Sequence, residues 1–275
     1  MSNISVIILT KNEKLHIGRC LECLAPLEPN QVFVVDCFSS DGSDKTVAEM
    51  GATVVQHEWP GLYAKQFNWA LDNLPIQARW VLRMDADEYL TPETIERLKA
   101  DLPKMPEEVS GLNIELKRKF RGGEIRYGTR GIRQARIFRF GIGRCEDRAM
   151  DEHIVVSRGM TIDYDGAFYD DSLIPFEEWK EKHRGYAKRE ATDAISLFNN
   201  SERLKNPSET DKKKIKYYKL PPYFRAVAYF CIRYFLKLGF LDGVAGWRWH
   251  FWQGLWYRWI VDREIARAKK EQCLA

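Results

Sequence analysis

Apolar residues in the first hundred positions follow two rhythms. Ile4 to Leu9 is a nearly continuous β-branched run, the pattern of a strand covered on both faces. After the polar stretch Thr10-Lys11-Asn12-Glu13, Ile17, Cys20, Leu21 and Leu24 recur at helical spacing until Pro26 closes the segment. Val32 to Val35 predicts a second buried strand ending at Asp36. Ser39-Ser40-Asp41-Gly42 then predicts a turn, and Ser43 to Met50 a helix stopped by Gly51. Thr53 to Val55, Ala64 to Leu74 and Trp80 to Met84 continue as strand, helix and strand, the last ending at Asp85. Thr91-Pro92-Glu93 supplies an N-cap, an N1 proline and an acidic first turn. This alternation predicts an α/β fold with a mostly parallel sheet flanked by helices.

Beyond Ser110 the rhythm shortens. Leu112 to Leu116, Arg133 to Phe140, His153 to Val156 and Met160 to Tyr164 read as strands separated by glycine-rich loops. Phe176 to Phe198 predicts a helix, and Asn199 to Lys216 a polar, lysine-rich linker. Pro221 opens a helical stretch to Leu238, Gly239 to Gly246 is a break, and a final helix runs to about Lys270. The organisation expected is a domain over 1–200, a linker over 201–216 and a helical tail over 217–275. Within the domain, 1–110 would hold the ligand and 111–200 its co-substrate.

Composition changes this picture in one respect. Hydrophobic residues make up 45% and charged residues 30% of the 275, which excludes disordered and collagenous chains. Six cysteines without a regular spacing favour a reducing compartment. The N-terminus matches neither a signal peptide nor a membrane span. The net charge of +4, however, hides an asymmetry: from Lys212 to Lys270 there are 14 Lys/Arg against 3 Asp/Glu. The tail also holds five of the nine tryptophans, Trp247, Trp249, Trp252, Trp256 and Trp259. A basic, aromatic tail beside an acidic body suggests a membrane surface as partner, with a packed helical hairpin or a homodimer contact left open. Nucleic acid is not expected, because the aromatic residues cluster with aliphatic ones instead of standing singly in a basic groove.

Ligands of doubly wound sheets sit beyond the carboxyl ends of the strands. Three such ends carry polar residues here: Thr10 to Glu13, Asp36, and Asp85-Ala86-Asp87. Two carboxylates one residue apart can meet a divalent cation that holds a diphosphate. With 17 aspartates in the chain, about one Asp-x-Asp is expected by chance. The second triplet, Asp163-Tyr164-Asp165, reads as a charged strand end. Only the first follows a buried strand at the right place in the series.

Ser5 to Glu13, Val34-Val35-Asp36 with Ser39 to Ser43, and Met84 to Glu88 together resemble family 2 glycosyltransferases of the GT-A fold, with a C-terminal helical membrane-associating extension. Gly239-Phe240-Leu241-Asp242-Gly243 resembles the tails of bacterial lipopolysaccharide and capsule glycosyltransferases. The turn departs from the family pattern at Phe38, where a small residue is common. The resemblance implies that Asp36 holds the nucleobase or ribose beside Thr10, Asn12 and Glu13. It also implies that Asp85 and Ala86 approach the ribose and diphosphate, that Lys65 points at the nucleotide, and that Asp87 ligates Mg²⁺ or Mn²⁺. The implied reaction is inverting transfer of a sugar from a nucleotide-sugar donor, a UDP-sugar, to a glycolipid or lipid-linked glycan acceptor. Its implied place is the cytoplasmic face of the bacterial inner membrane, with the protein peripheral to it. The alternatives are a polyprenyl-phosphate glycosyltransferase and a non-catalytic nucleotide-sugar-binding subunit.

An inverting transfer needs a base for the acceptor hydroxyl. Asp151-Glu152 resembles the family's base position, with Glu152 preferred over Asp151, and Glu146-Asp147 is a second acidic pair. The loop from Arg121 to Gly131 is either a basic lid or a plain hairpin connection. Cys20-Leu21-Glu22-Cys23 lies within a predicted helix without a second ligand pair, which argues against a zinc or redox site.

Overall fold

The computed structural model describes residues 2–129, 131–146 and 153–274. The chain forms two compact units, Met1–Lys119 with Gly131–Leu173, and Phe120–Arg130 with Ile174–Ala275.

The first unit begins with β1 (Ser2–Thr10), α1 (Lys14–Leu24), β2 (Pro29–Asp36), α2 (Ser43–Glu49), β3 (Thr53–Gln56) and α3 (Tyr63–Asn73). It continues with β4 (Trp80–Asp85), β5 (Glu88–Leu90), α4 (Pro92–Asp101) and the long β6 (Val109–Phe120). After the short β7 (Gly123–Ile125), which belongs to the second unit, come β8 (Ile132–Arg139), β9 (Gly143–Cys145), β10 (Ile154–Val156) and β11 (Met160–Asp170). The main sheet runs β3-β2-β1-β4-β8-β6-β11-β5. β3, β2, β1 and β4 are mutually parallel, and β8 is antiparallel to both β4 and β6.

Alternation along β1 explains the layers. Ile4, Val6 and Ile8 point to one face and pack with Ile17, Cys20 and Leu24 of α1. Ile7 and Leu9 point to the other, with Ala64, Phe67 and Leu71 of α3. A strand buried on both faces must be apolar at every second position on each side, hence the run in the sequence. Each fully buried Ile or Leu contributes about 1.5–3 kcal/mol. Thr91 caps α4 as expected, its hydroxyl accepting from the Thr94 N–H, with Pro92 behind it.

The second unit holds α5 (Phe176–Asn199), α6 (Ser201–Lys205), α7 (Glu209–Tyr218) and α8 (Phe224–Cys231). A π-helical turn over Ile232–Leu236 and a 3₁₀ turn over Gly239–Asp242 lead to α9 (Gly243–Trp249). A second π-helical stretch, His250–Trp256, then runs into α10 (Tyr257–Leu274). The polar stretch expected to be a linker is thus largely helical. Asn200 caps α6, and Ser208 with Asp211 forms a capping box on α7. Asp193 of α5 binds Arg203 at 3.0 Å and Lys214 at 2.8 Å.

Three of the five tail tryptophans are packing residues. Trp249, with Trp252 and Trp256 against it, builds a core with Phe120, Ile125 and Trp179. The basic surplus is partly internal as well: Arg225 is buried against Asp262, and Arg258 pairs with Glu190. The loop that follows Arg121 is held at Arg126 and Tyr127, whose N–H groups both donate to Asp242 Oδ2, at 3.0 and 2.9 Å. Among the described residues, no helix is long and apolar enough to cross a membrane.

Candidate functional site

Register sets the three polar strand ends in one row. Thr10 lies opposite Asp36, and Leu9 opposite Asp85. At the β1–β2 side, Asp36 is fully buried and accepts from both the N–H and the hydroxyl of Ser39. Ser39 Oγ in turn accepts from the Asn12 N–H at 2.8 Å, and Asn12 Oδ1 accepts from the Ser40 N–H at 2.9 Å. The Glu13 N–H donates to Ser43 Oγ at 2.9 Å. The Glu13 carboxylate turns back to His16 Nδ1 at 2.6 Å, so it serves the helix start. Thr10 Oγ1 is buried with no hydrogen-bond partner among the described residues.

Two residues in this meshwork hold left-handed backbone, Asn12 and Phe38, each at φ 56°. Asparagine tolerates this, whereas a phenylalanine there is strained by about 1–2 kcal/mol. Lys11 compensates by donating from Nζ to the Cys37 and Phe38 carbonyls at 2.6 and 2.8 Å. The Phe38 N–H reaches Gln56 Oε1 at 3.1 Å. Phe38 itself is left exposed, two residues beyond Asp36. Strain held in this way concentrates at ligand sites.

On the β4 side, a cavity of about 180 Å³ is lined by Arg83, Asp85, Gln134, Ala135, Arg136, His153 and Ile154. It arises because β8 runs antiparallel beside β4, which places Arg136 near Asp85. Arg136 donates to Glu88 Oε1 at 2.5 Å, and its other terminal nitrogen stands 3.8 Å from Asp85 Oδ2. Arg83 is buried against the Phe67 ring and donates to Cys145 Sγ at 3.3 Å. Glu88 fixes the turn that carries Asp85, accepting from the Asp85 N–H at 2.9 Å. Burial pushes the Glu88 carboxyl well above the usual carboxylate range; Arg136 opposes that, and the nearby Asp85 and Asp87 add to it. Two buried guanidiniums, Arg83 and Arg136, thus line the cavity with the half-exposed Asp85 carboxylate, and Glu88 shares Arg136 with it. The cavity is smaller than the roughly 300–1,000 Å³ of a drug-sized ligand pocket, and suits the phosphate end of a larger ligand.

The other expected residues are dispersed around this centre. Ala86 is buried, and Asp87 sits one turn position beyond the cavity wall, its carbonyl accepting from Arg19 at 3.2 Å and from the Asp171 N–H at 3.3 Å. Lys65 is exposed on α3 and does not line the cavity. On the same helix Gln66 donates to Cys37 Sγ at 2.9 Å, and Asn68 pairs with both backbone groups of Cys145. Asp151 and Glu152 lie outside the described residues; His153, next in the chain, lines the cavity. The second aspartate triplet is structural: Asp163 accepts from Asn113, Tyr164 donates to Asp101, and Asp165 pairs with Arg97.

Among the described residues no group of three or more His, Cys, Asp or Glu side chains converges as a metal site. A cation shared with phosphates needs only one or two protein carboxylates, and the half-exposed Asp85 carboxylate at the cavity fits that in kind. Cys20 and Cys23 are poor thiolates, both pushed up by burial, Cys23 to about 11. The sequence pattern does not single out Arg83 or Arg136: Arg83 reads as one charge within an apolar strand, and Arg136 as one of three arginines in β8.

The family model described as Glycosyl transferase family 2 matches residues 5–160. An uncharacterised glycosyltransferase of Rickettsia felis is 36% identical over 93 residues, 34% of this chain and 31% of that one. Its Rickettsia conorii counterpart is 37% identical over 90 residues, 33% of this chain and 30% of the relative. These matches thus span about a third of the relatives' own length. Among solved structures, residues 1–349 of S. aureus TarS are similar with a TM-score of 0.45 at 17% identity, covering 96% of this chain and 91% of that one. Glucosyl-3-phosphoglycerate synthase from Mycobacterium tuberculosis, solved with Mg²⁺ and UDP, gives 0.36 at 19% identity over 41% of this chain and 43% of its own.

Proposed function

The chain belongs to glycosyl transferase family 2, and from that premise we propose that it transfers a sugar, with inversion, from a UDP-sugar to a glycolipid or lipid-linked glycan. The observation that carries this reading is the cavity at the carboxyl end of β4, beside the antiparallel β8, where Arg83 and Arg136 stand with Asp85. A guanidinium presents a planar fork that matches phosphate oxygens. Two of them in a partly enclosed cavity would bind a diphosphate and favour its departure, since fixed charge held by the protein needs no reorganisation as the leaving group departs. Asp36, Thr10 and the exposed Phe38 border the neighbouring loops, where ribose and base would lie.

Asp87, the ligand the family resemblance implies, with Asp85 beside it at the cavity, would hold Mg²⁺ or Mn²⁺. Such an ion, when bound, neutralises charge on the leaving diphosphate. Arg136 keeps Asp85 within reach while taking Glu88 as its main partner, so the Asp85 carboxylate stays available. Glu152, with Asp151 as the alternative, would take the proton of the acceptor hydroxyl. The acceptor would be met at the cytoplasmic face of the bacterial inner membrane.

The test is nucleotide release from a panel of UDP-, GDP- and other nucleotide-sugars, in membrane lipid extract with Mg²⁺ or Mn²⁺. UDP release is expected, falling ~10²-fold or more in Asp85→Asn. Release from no donor would favour a silent binding subunit. Full activity in Asp85→Asn would remove the site from this cavity.

A further inference from the structure

The α8–α9 hairpin is amphipathic in the wrong sense for water. Arg233, at its middle, points inward: it is 5% exposed, donates to the Gly128 carbonyl and lies over the Tyr229 ring at 5.1 Å. Many of its apolar residues point outward. Phe235 is 55%, Leu236 77%, Leu241 53% and Val244 66% exposed, and Leu238 and Phe240 join them. The two helices hold this face together themselves, since Trp247 of α9 meets Phe230 of α8 at 5.8 Å and Tyr234 at 5.6 Å. Behind it, the Gly128 N–H donates to the Lys237 carbonyl at 2.9 Å and Asp242 clamps two backbone N–H groups. A contiguous apolar face on a rigid support marks an interaction site.

We propose that this hairpin inserts its outer face into the headgroup and upper acyl region of an anionic bilayer. Charge selects the occupant. Lys237 and Arg248 are exposed at the rim, and between Phe224 and Arg248 the sole acidic residue is Asp242, whose carboxylate is turned to backbone N–H groups. A second copy would set basic rim against basic rim, whereas lipid headgroups supply the missing negative charge. Attachment would rest on buried side chains and not on a lysine cloud, because Arg225 and Arg258 are committed to Asp262 and Glu190. The inference deepens the membrane setting proposed above, but its test uses no donor and no acceptor.

The full chain would be sedimented with vesicles of phosphatidylcholine containing about a quarter phosphatidylglycerol. It should pellet even in about 0.5 M NaCl, where the Debye length falls to a few ångströms. Leu236→Glu with Val244→Glu should weaken partitioning at least ~10-fold, since each buries an aliphatic side chain when bound. The thermal midpoint should be unchanged, as both positions are exposed. Without any variant, brominated acyl chains should quench part of the tryptophan emission through Trp247. A chain that stays in the supernatant, release by salt, or equal pelleting of the double variant would overturn the proposal. So would a concentration-dependent dimer that the double variant dissolves, which would make a second copy the occupant.

Discussion

Two buried glutamates, each met by an arginine, end in opposite states. In the second unit, burial alone would raise Glu190, yet Arg258 and the Tyr257 and Tyr218 hydroxyls hold it below its ordinary value. In the first unit Glu88 is met by Arg136, but Asp85 and Asp87 crowd the same turn and the carboxyl ends well above its ordinary value. The Glu190 carboxylate is met by three donors; the Glu88 pair is left in conflict beside a cavity that Arg136 lines. Burial of charge is therefore a poor guide to function in this chain. Crowding of like charges beside an open volume is the better one.

Glu190→Ala is expected to be the most damaging change, because it strands Arg258 and costs about 3–5 kcal/mol. Chemical denaturation would measure it, with UDP affinity at low temperature unaltered. A loss under about 1 kcal/mol would mean that the pair resembles an exposed surface bridge.

His250 sharpens the same contrast. It is fully buried between two glycines: a Cβ at Gly128 would stand 2.3 Å from its ring, and one at Gly239 2.4 Å. Burial, and then Arg233, push its pKa down from 6.5 to about 4. The unfolded chain therefore takes up a proton that the folded chain refuses, so stability is present above pH 6.5 and declines as pH falls toward 4. The decline amounts to at most about 3 kcal/mol. Thermal midpoints of wild type and His250→Leu, compared across that window, should show the slope in wild type and a shallower one in the variant. Parallel slopes would assign the acid sensitivity to carboxylates elsewhere.

The parallel half of the sheet was legible because its strands are buried on both faces and stop at polar residues: Thr10, Asp36 and Asp85 fall where the apolar runs end. Arg83 and Arg136 were not, because their meaning depends on β8 returning antiparallel beside β4. That pairing joins positions about fifty residues apart, such as Leu82 and Ile137. The helices over 201–218 were hidden by polar composition, although Ser208-Glu209-Thr210-Asp211 carries a capping signature. In the tail, apolar residues occupy both faces, and two π-helical stretches shift the phase. Periodicity therefore could not separate Trp249, which packs inside, from Trp247, which does not. The 147–152 segment with Asp151 and Glu152 lies outside the described residues, so the base rests on the family resemblance and on His153 beside it.

The central claim is that the β4–β8 cavity receives the donor's diphosphate, and calorimetric titration with free UDP tests it most directly. Arg83→Met removes a guanidinium from the cavity and should weaken UDP binding at least ~10-fold, while Arg258→Met, in the second unit, should leave affinity as in wild type. Equal affinity in wild type and Arg83→Met, or a loss confined to Arg258→Met, would contradict the account.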